Sequence, residues 1–130
     1  MKTIPTLTFD DAQAMARAAL MAARERDLSV TIALVDAAGQ ILHLDRMDGA
    51  RAYSADLAQR KARTAASVGF TTAALAEALK GSPLGGEVLA VPGGVPVRVG
   101  AEIAGAIGVS GAKPEEDEAI AAAGLAALDG

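Results

Sequence analysis

The sequence contains no cysteine. This absence excludes thiol nucleophiles, zinc fingers, iron–sulfur clusters and disulfide frameworks. It is compatible with a reducing compartment. The first twenty residues also contain Asp10, Asp11 and Arg17, where a secretory signal requires an uninterrupted apolar core. We therefore expect a cytoplasmic protein.

Aromatic residues are few, and the chain has no excess of positive charge. Phe9, Tyr53 and Phe70 are the only aromatic residues, and the formal net charge is −4. Nucleic-acid surfaces use clustered Lys and Arg to neutralise phosphates, and many stack bases on aromatic rings. We therefore expect no nucleic-acid partner.

No apolar run is long enough to cross a membrane, for which about 20 consecutive apolar residues are needed. Residues 91–109 come closest, but Arg98, Glu102 and several prolines and glycines interrupt them. The chain is instead rich in small apolar residues: 52% of it is hydrophobic, mostly alanine and valine. Small side chains allow close helix contacts, including contacts between subunits. We therefore expect no membrane association and predict a homo-oligomer.

The length of 130 residues predicts one domain that spans residues 1–130. Apolar spacing predicts helices at about 9–26, 52 or 54 to 68, 71 or 72 to 80, and from 114 onward. It predicts strands at 29–36, 41–46, 88–91, 95–99 and 103–110. Thr8 and Asp11 have the spacing of a capping box, and the acidic residues 115–118 suit the start of the last helix.

The resulting order is αββααβββα. Short connections between consecutive strands favour a mainly antiparallel sheet of five strands that is flanked by helices. The predicted fold class is therefore α/β, of the α+β type.

Several segments resemble one known protein family. Residues 35–39 (VDAAG), 46–50 (RMDGA), 58–65 (AQRKARTA), 93–96 (GGVP) and 105–111 (GAIGVSG) follow, in order and spacing, the pattern of the GlcG/HbpS-like haem-binding family, which includes the C-terminal domain of PduO. The resemblance runs from about residue 8 to residue 128. It implies a profilin-like domain that assembles into dimers and often octamers, and it implies haem binding in some members.

Three charged residues are the first candidates for a binding site. Arg46 and Asp48 stand where the second predicted strand ends, and Lys61 lies on the helix that follows. We predict that they meet at one pocket, where Arg46 and Lys61 hold a carboxylate or a haem propionate. The alternative is an ion-pair network that fixes the 47–50 turn to the second helix.

Two glycine-containing turns extend this candidate site. The pairs 93–94 and 110–111 can let backbone N–H groups approach an anion, although glycine pairs are also common in hairpin turns. The complete predicted ligand-binding set is Arg46, Met47, Asp48, Lys61, Thr72, Gly93, Gly94, Ser110 and Gly111.

Two residues are candidates for ligation of haem iron. His43 is the only histidine, so a Ser-His-Asp arrangement or a proximal histidine would have to use it; the alternative is a partly exposed strand residue. In some members of the family a threonine approaches the haem, and the resemblance implies that Thr72 is its counterpart in this sequence. The alternative role of Thr72 is a helix cap.

Three functions remain open from the sequence. The first is a small oligomeric haem-binding protein, with haem degradation or sensing as its further role. The second is an enzyme acting on a hydroxy or keto acid, with Arg46 as anion clamp and Asp36, Asp48 or Lys61 as acid–base group. The third is a structural or accessory subunit without a ligand.

Overall fold

The computed structural model describes residues 1–82 and 89–128. These residues contain four helices and four strands. The helices are α1 (Phe9–Glu25), α2 (Ser54–Val68), α3 (Thr72–Ala78) and α4 (Pro114–Ala126), and the strands are β1 (Thr31–Asp36), β2 (Ile41–Arg46), β3 (Gly94–Val99) and β4 (Glu102–Ser110). Within these residues, no helix is both long and apolar enough to cross a membrane.

The strands form one sheet in the order β2-β1-β4-β3, and every neighbouring pair is antiparallel. The predicted fold class is therefore confirmed. The prediction of a strand at 88–91 is wrong for residues 89–91, which are not in a strand. Residue 88 lies outside the described residues. The register that pairs Gly94 with Gly108 would place residues 89–91 opposite 111–113, beyond the end of β4, so they have no strand to pair with.

The start of α1 agrees with the capping box that the sequence predicts. The Thr8 hydroxyl accepts from the Asp11 N–H at 3.2 Å, and the Asp11 carboxylate accepts from the Thr8 N–H at 2.9 Å. Two of the four N–H groups that a helix start leaves without a partner are commonly satisfied in this way.

The two faces of the sheet carry different cores. Ile32 and Leu34 belong to the larger core, which α1 and α4 cover, whereas Ala33 and Val35 belong to a thinner core beneath α2. This separation follows from the alternation of side chains along a strand. Apart from Val35, the buried residues of the thinner core are all alanine, so the α2 backbone lies very close to the sheet.

Candidate ligand-binding site

An open concavity lies between the end of α1 and the end of β2. Its volume is about 450 Å³, and its lining residues are Leu20, Arg24, Leu44, Asp45, Arg46, Met47 and Asp48. The structure thus brings together three of the predicted residues, Arg46, Met47 and Asp48. We call this place the arginine concavity.

The two arginines of this concavity have no carboxylate partner among the described residues. The ion pairs found there involve neither Arg24 nor Arg46, and both side chains are exposed. The alternative ion-pair network through Arg46 is therefore not found. An unpaired guanidinium can bind a carboxylate with two parallel hydrogen bonds.

Leu20 and Met47 supply the apolar side chains of the concavity, whereas the side chain of Leu44, which pairs with Ala33, lies on the α2 side of the sheet. Met47 is held in place because its sulfur accepts a weak hydrogen bond from the Val30 N–H at 3.4 Å. The concavity therefore offers two free cations beside an apolar surface, and Asp45 and Asp48 also line it.

Lys61 does not line the arginine concavity, which corrects the prediction that it meets Arg46 and Asp48 there. It is 1% exposed. Its Nζ donates to the Val109 carbonyl at 2.9 Å and to Asp117 Oδ2 at 3.2 Å. The reason is the orientation of α2: Lys61 lies between Ala58 and Ala65 on the helix face that packs against the sheet.

Asp117, on α4, completes this buried pair. Its Oδ1 accepts from the Ala112 N–H at 3.0 Å, so both carboxylate oxygens are used. Burial lowers the pKa of Lys61, although the charge of Asp117 acts in the opposite direction. Burial likewise raises the pKa of Asp117, against the effect of Lys61. The pair links α2 to α4.

Thr72, Gly93 and Gly94 lie beside Lys61 in this closed region, away from the arginine concavity. Thr72 is fully buried, and its Oγ1 accepts from the Gly94 N–H at 2.9 Å. Its neighbour Thr71 caps α3 instead. A Cβ on Gly93 would lie 2.8 Å from Lys61 Nζ, and one on Gly94 would lie 2.7 Å from Thr72 Cγ2. These glycines are therefore in contact with protein atoms and do not form an open cradle for an anion.

Two further predicted ligand-binding residues lie near the start of α2. Ser110 is 1% exposed and is paired with Thr31, whose hydroxyl is 2.8 Å from the hydroxyl of Ser54. Gly111 has a φ of +124°, and a Cβ there would lie 3.1 Å from the Ser29 carbonyl oxygen. Neither residue lines the arginine concavity.

Asp36 stabilises the β1–β2 turn and does not reach the arginine concavity. Its Oδ1 accepts from the N–H groups of Ala38 at 2.9 Å and Gln40 at 3.0 Å. The three acid–base candidates from the sequence, Asp36, Asp48 and Lys61, therefore lie in three different environments.

The sequence interpretation missed the contribution of α1. Arg17, Leu20 and Arg24 are three and four residues apart, which places them on one helix face. That spacing was a usable signal, but only the structure shows that this face lies along β2. Asp117 was also missed as a partner of Lys61, because the sequence suggested only a role at the start of the helix.

His43 lies in a second, smaller concavity beside the first. Its Nε2 is 3.0 Å from Asp45 Oδ1. The volume is about 210 Å³, and the lining residues are Gln13, Ala16, Arg17, Leu20, His43 and Asp45. No group of three or more His, Cys, Asp or Glu residues in the described part of the chain is arranged to hold a metal ion.

The fold and the site define a class: a small α/β domain with an antiparallel sheet between unequal helical layers and an open concavity lined by arginines. Residues 7–126 match the family model described as "Haem degrading protein HbpS-like". The chain belongs to this HbpS-like family, which confirms the resemblance to GlcG and HbpS.

Individual relatives agree with this assignment. The chain is 37% identical over 117 residues to Protein GlcG of Escherichia coli K12, with 85% of each protein covered. It superposes on a double mutant of Streptomyces reticuli HbpS with a TM-score of 0.92, at 38% identity, over 98% of this chain and 90% of the other. It superposes on the PduOC–haem complex with a TM-score of 0.84, at 31% identity and 94% coverage of each chain.

Proposed function

We propose that this protein binds haem, and that the arginine concavity receives the propionates and one edge of the macrocycle. The observation that carries the proposal is the position of two unpaired arginines, Arg24 and Arg46, beside an apolar surface. Haem presents the complementary groups, which are two carboxylates and an apolar ring. The structure of a related haem complex supports the choice of ligand.

The residues present fit the periphery of haem better than its iron. Arg24 and Arg46 can hold propionates, and Leu20 and Met47 can contact the ring. Thr72 is a poor iron ligand because it is buried and its hydroxyl bonds Gly94. Bound haem would supply the redox and ligation chemistry of its iron. Haem degradation, which the family description names, is the further role that this proposal includes.

Titration with haemin tests this proposal. The wild-type protein should give a saturable shift of the Soret band. Replacing Arg24 or Arg46 with Ala should weaken binding about tenfold, because each replacement removes a charge-assisted hydrogen bond.

Arg60→Ala is the matched control, since Arg60 is an exposed arginine on α2 that faces Asp56 at 3.9 Å. It should leave the affinity unchanged. An unchanged free-haemin spectrum with the wild-type protein would contradict haem binding. Equal affinity in all four proteins would remove the arginine concavity from the proposal.

The two other functions have less support. An acid–base enzyme at Arg46, Asp48 and Lys61 would need Lys61 at the concavity, but its amino group is buried against Val109 and Asp117. A ligand-free subunit would be favoured by a filled pocket at the strand end, whereas that place is an open concavity of about 450 Å³.

The same proposal includes a homo-oligomer, from dimer to octamer, of single-domain subunits in the cytoplasm. The alanine-rich helices and the exposed apolar residues of β2 support the assembly. The cysteine-free composition agrees with a reducing compartment.

A further inference from the structure

The smaller concavity contains a histidine that a carboxylate orients. His43 Nε2 is bonded to Asp45, and the ring centroid of Phe9 is 6.2 Å from that of His43. The Nδ1 atom of His43 has no protein partner among the described residues and is not buried. An oriented imidazole with one free nitrogen can exchange a hydrogen bond with a ligand hydroxyl or carbonyl.

A cation and an amide complete the lining. Arg17 and Gln13 are exposed residues on the same face of α1, and Arg17 has no carboxylate within ion-pair distance in the described part of the chain. The charge of Asp45 is directed to His43, which leaves Arg17 free for a ligand carboxylate. The volume of about 210 Å³ suits a ligand of a few heavy atoms.

We infer that this concavity is a separate binding site for a small carboxylate that carries a hydroxyl or carbonyl group on the adjacent carbon. Arg17 binds the carboxylate, and His43, held by Asp45, forms a hydrogen bond with the adjacent oxygen. The site shares only Leu20 and Asp45 with the arginine concavity. It therefore does not depend on the proposed haem binding.

Proton NMR provides a direct test, because His43 is the only histidine and its ring C–H signals need no further assignment. At constant pH, sodium lactate should shift these signals saturably. Sodium propionate, which has the same carbon skeleton without the hydroxyl, should bind about tenfold more weakly, since it cannot form the hydrogen bond with the His43 nitrogen.

Variants separate this site from its surroundings. Arg17→Ala should weaken lactate binding about tenfold or more, while Arg60→Ala and Arg46→Ala should leave it unchanged. Circular dichroism should show that each variant is folded.

The absence of a saturable shift with lactate would overturn the inference, as would equal affinity of the wild-type protein and Arg17→Ala. Equal affinity for lactate and propionate would overturn the role of His43. Loss of lactate binding in Arg46→Ala would place the ligand in the arginine concavity and would also overturn it. A failed haemin titration would leave all these outcomes unaffected.

Discussion

At the scale of single residues, Lys61 and Asp117 form the most consequential interaction in the structure. Their side chains are 1% and 3% exposed, and they connect residues 56 positions apart in the chain. Removing two charges from water costs several kcal/mol per ion, which their attraction and added hydrogen bonds offset. Such a pair contributes little net stability, whereas deletion of one side chain removes its charge and its hydrogen bonds together and is strongly unfavourable.

Substitution of the pair should therefore be strongly non-additive. Lys61→Met alone should reduce the free energy of unfolding by about 3–5 kcal/mol, because it removes both the charge and the N–H donor that face the buried Asp117 carboxylate. The double variant Lys61→Met/Asp117→Asn should recover most of that loss, since Asn retains an acceptor for the Ala112 N–H. Urea denaturation measures both values. A double variant as unstable as the single one would contradict the coupling.

The pair also predicts how stability depends on pH. The pKa of Asp117 is raised, so its contribution is complete below pH 3.8 and is lost as pH rises through the folded-state pKa. The pKa of Lys61 is lowered, so its contribution is complete above pH 10.5 and is lost as pH falls through the folded-state pKa. Relative to the double variant, the wild-type protein should therefore be least stable between these two folded-state pKa values.

Melting temperatures of both proteins across the pH range measure this difference. The difference curve should pass through a minimum between the acid and the alkaline branches. A difference curve that is flat, or that has its maximum between the two branches, would contradict the directions of the two pKa shifts.

At the scale of elements, the close contact of α2 with the sheet depends on the absence of a side chain at residue 108. A Cβ on Gly108 would lie 2.1 Å from the Ala58 carbonyl oxygen and 2.6 Å from the Ala62 nitrogen. Both atoms belong to the α2 backbone, which cannot give way without moving the helix. The alanines of α2 and Gly108 together set the distance between helix and sheet.

Gly108→Ala should therefore destabilise the protein by about 3 kcal/mol, at the upper end of the usual cost of overpacking. Gly124→Ala on α4 is the matched control, because its Cβ would meet mainly the flexible end of Ile107, at 2.5 Å. Alanine in a helix interior also gains about 1 kcal/mol over glycine. Denaturation of both variants should show the larger loss at residue 108; equal losses would contradict a rigid helix–sheet contact.

At the scale of the whole molecule, the helices cover the sheet unevenly. α2 packs mainly on β4, β1 and β3, and it makes few contacts with β2. Ile41 and Leu44 of β2 are consequently 49% and 37% exposed. Exposed apolar side chains on an edge strand are suited to contact with another chain.

If the proposed homo-oligomer forms, its particle mass in solution should be at least twice the chain mass of 13.0 kDa. Sedimentation equilibrium at micromolar concentration measures that mass directly. A mass of 13.0 kDa at every accessible concentration would contradict the assembly.

Local patterns determined most of the elements. The bounds of β2 and the end of α2 at Val68 agree with the sequence prediction, because period-two alternation and the glycine after Val68 are local signals. The capping box at Thr8 is equally local. The third of the five predicted strands failed because pairing depends on where β4 ends, and that is a property of a distant segment.

The sequence by itself identified the family and three residues of the arginine concavity, Arg46, Met47 and Asp48, which are consecutive in the chain. Only the tertiary structure decided that Arg24 joins them and that Lys61 turns inward to Asp117. The physical reason is that the sequence does not show whether the side of the helix that carries a charged residue faces water or the sheet. The packing of α1 and α2 against opposite faces of the sheet settles which cations remain free.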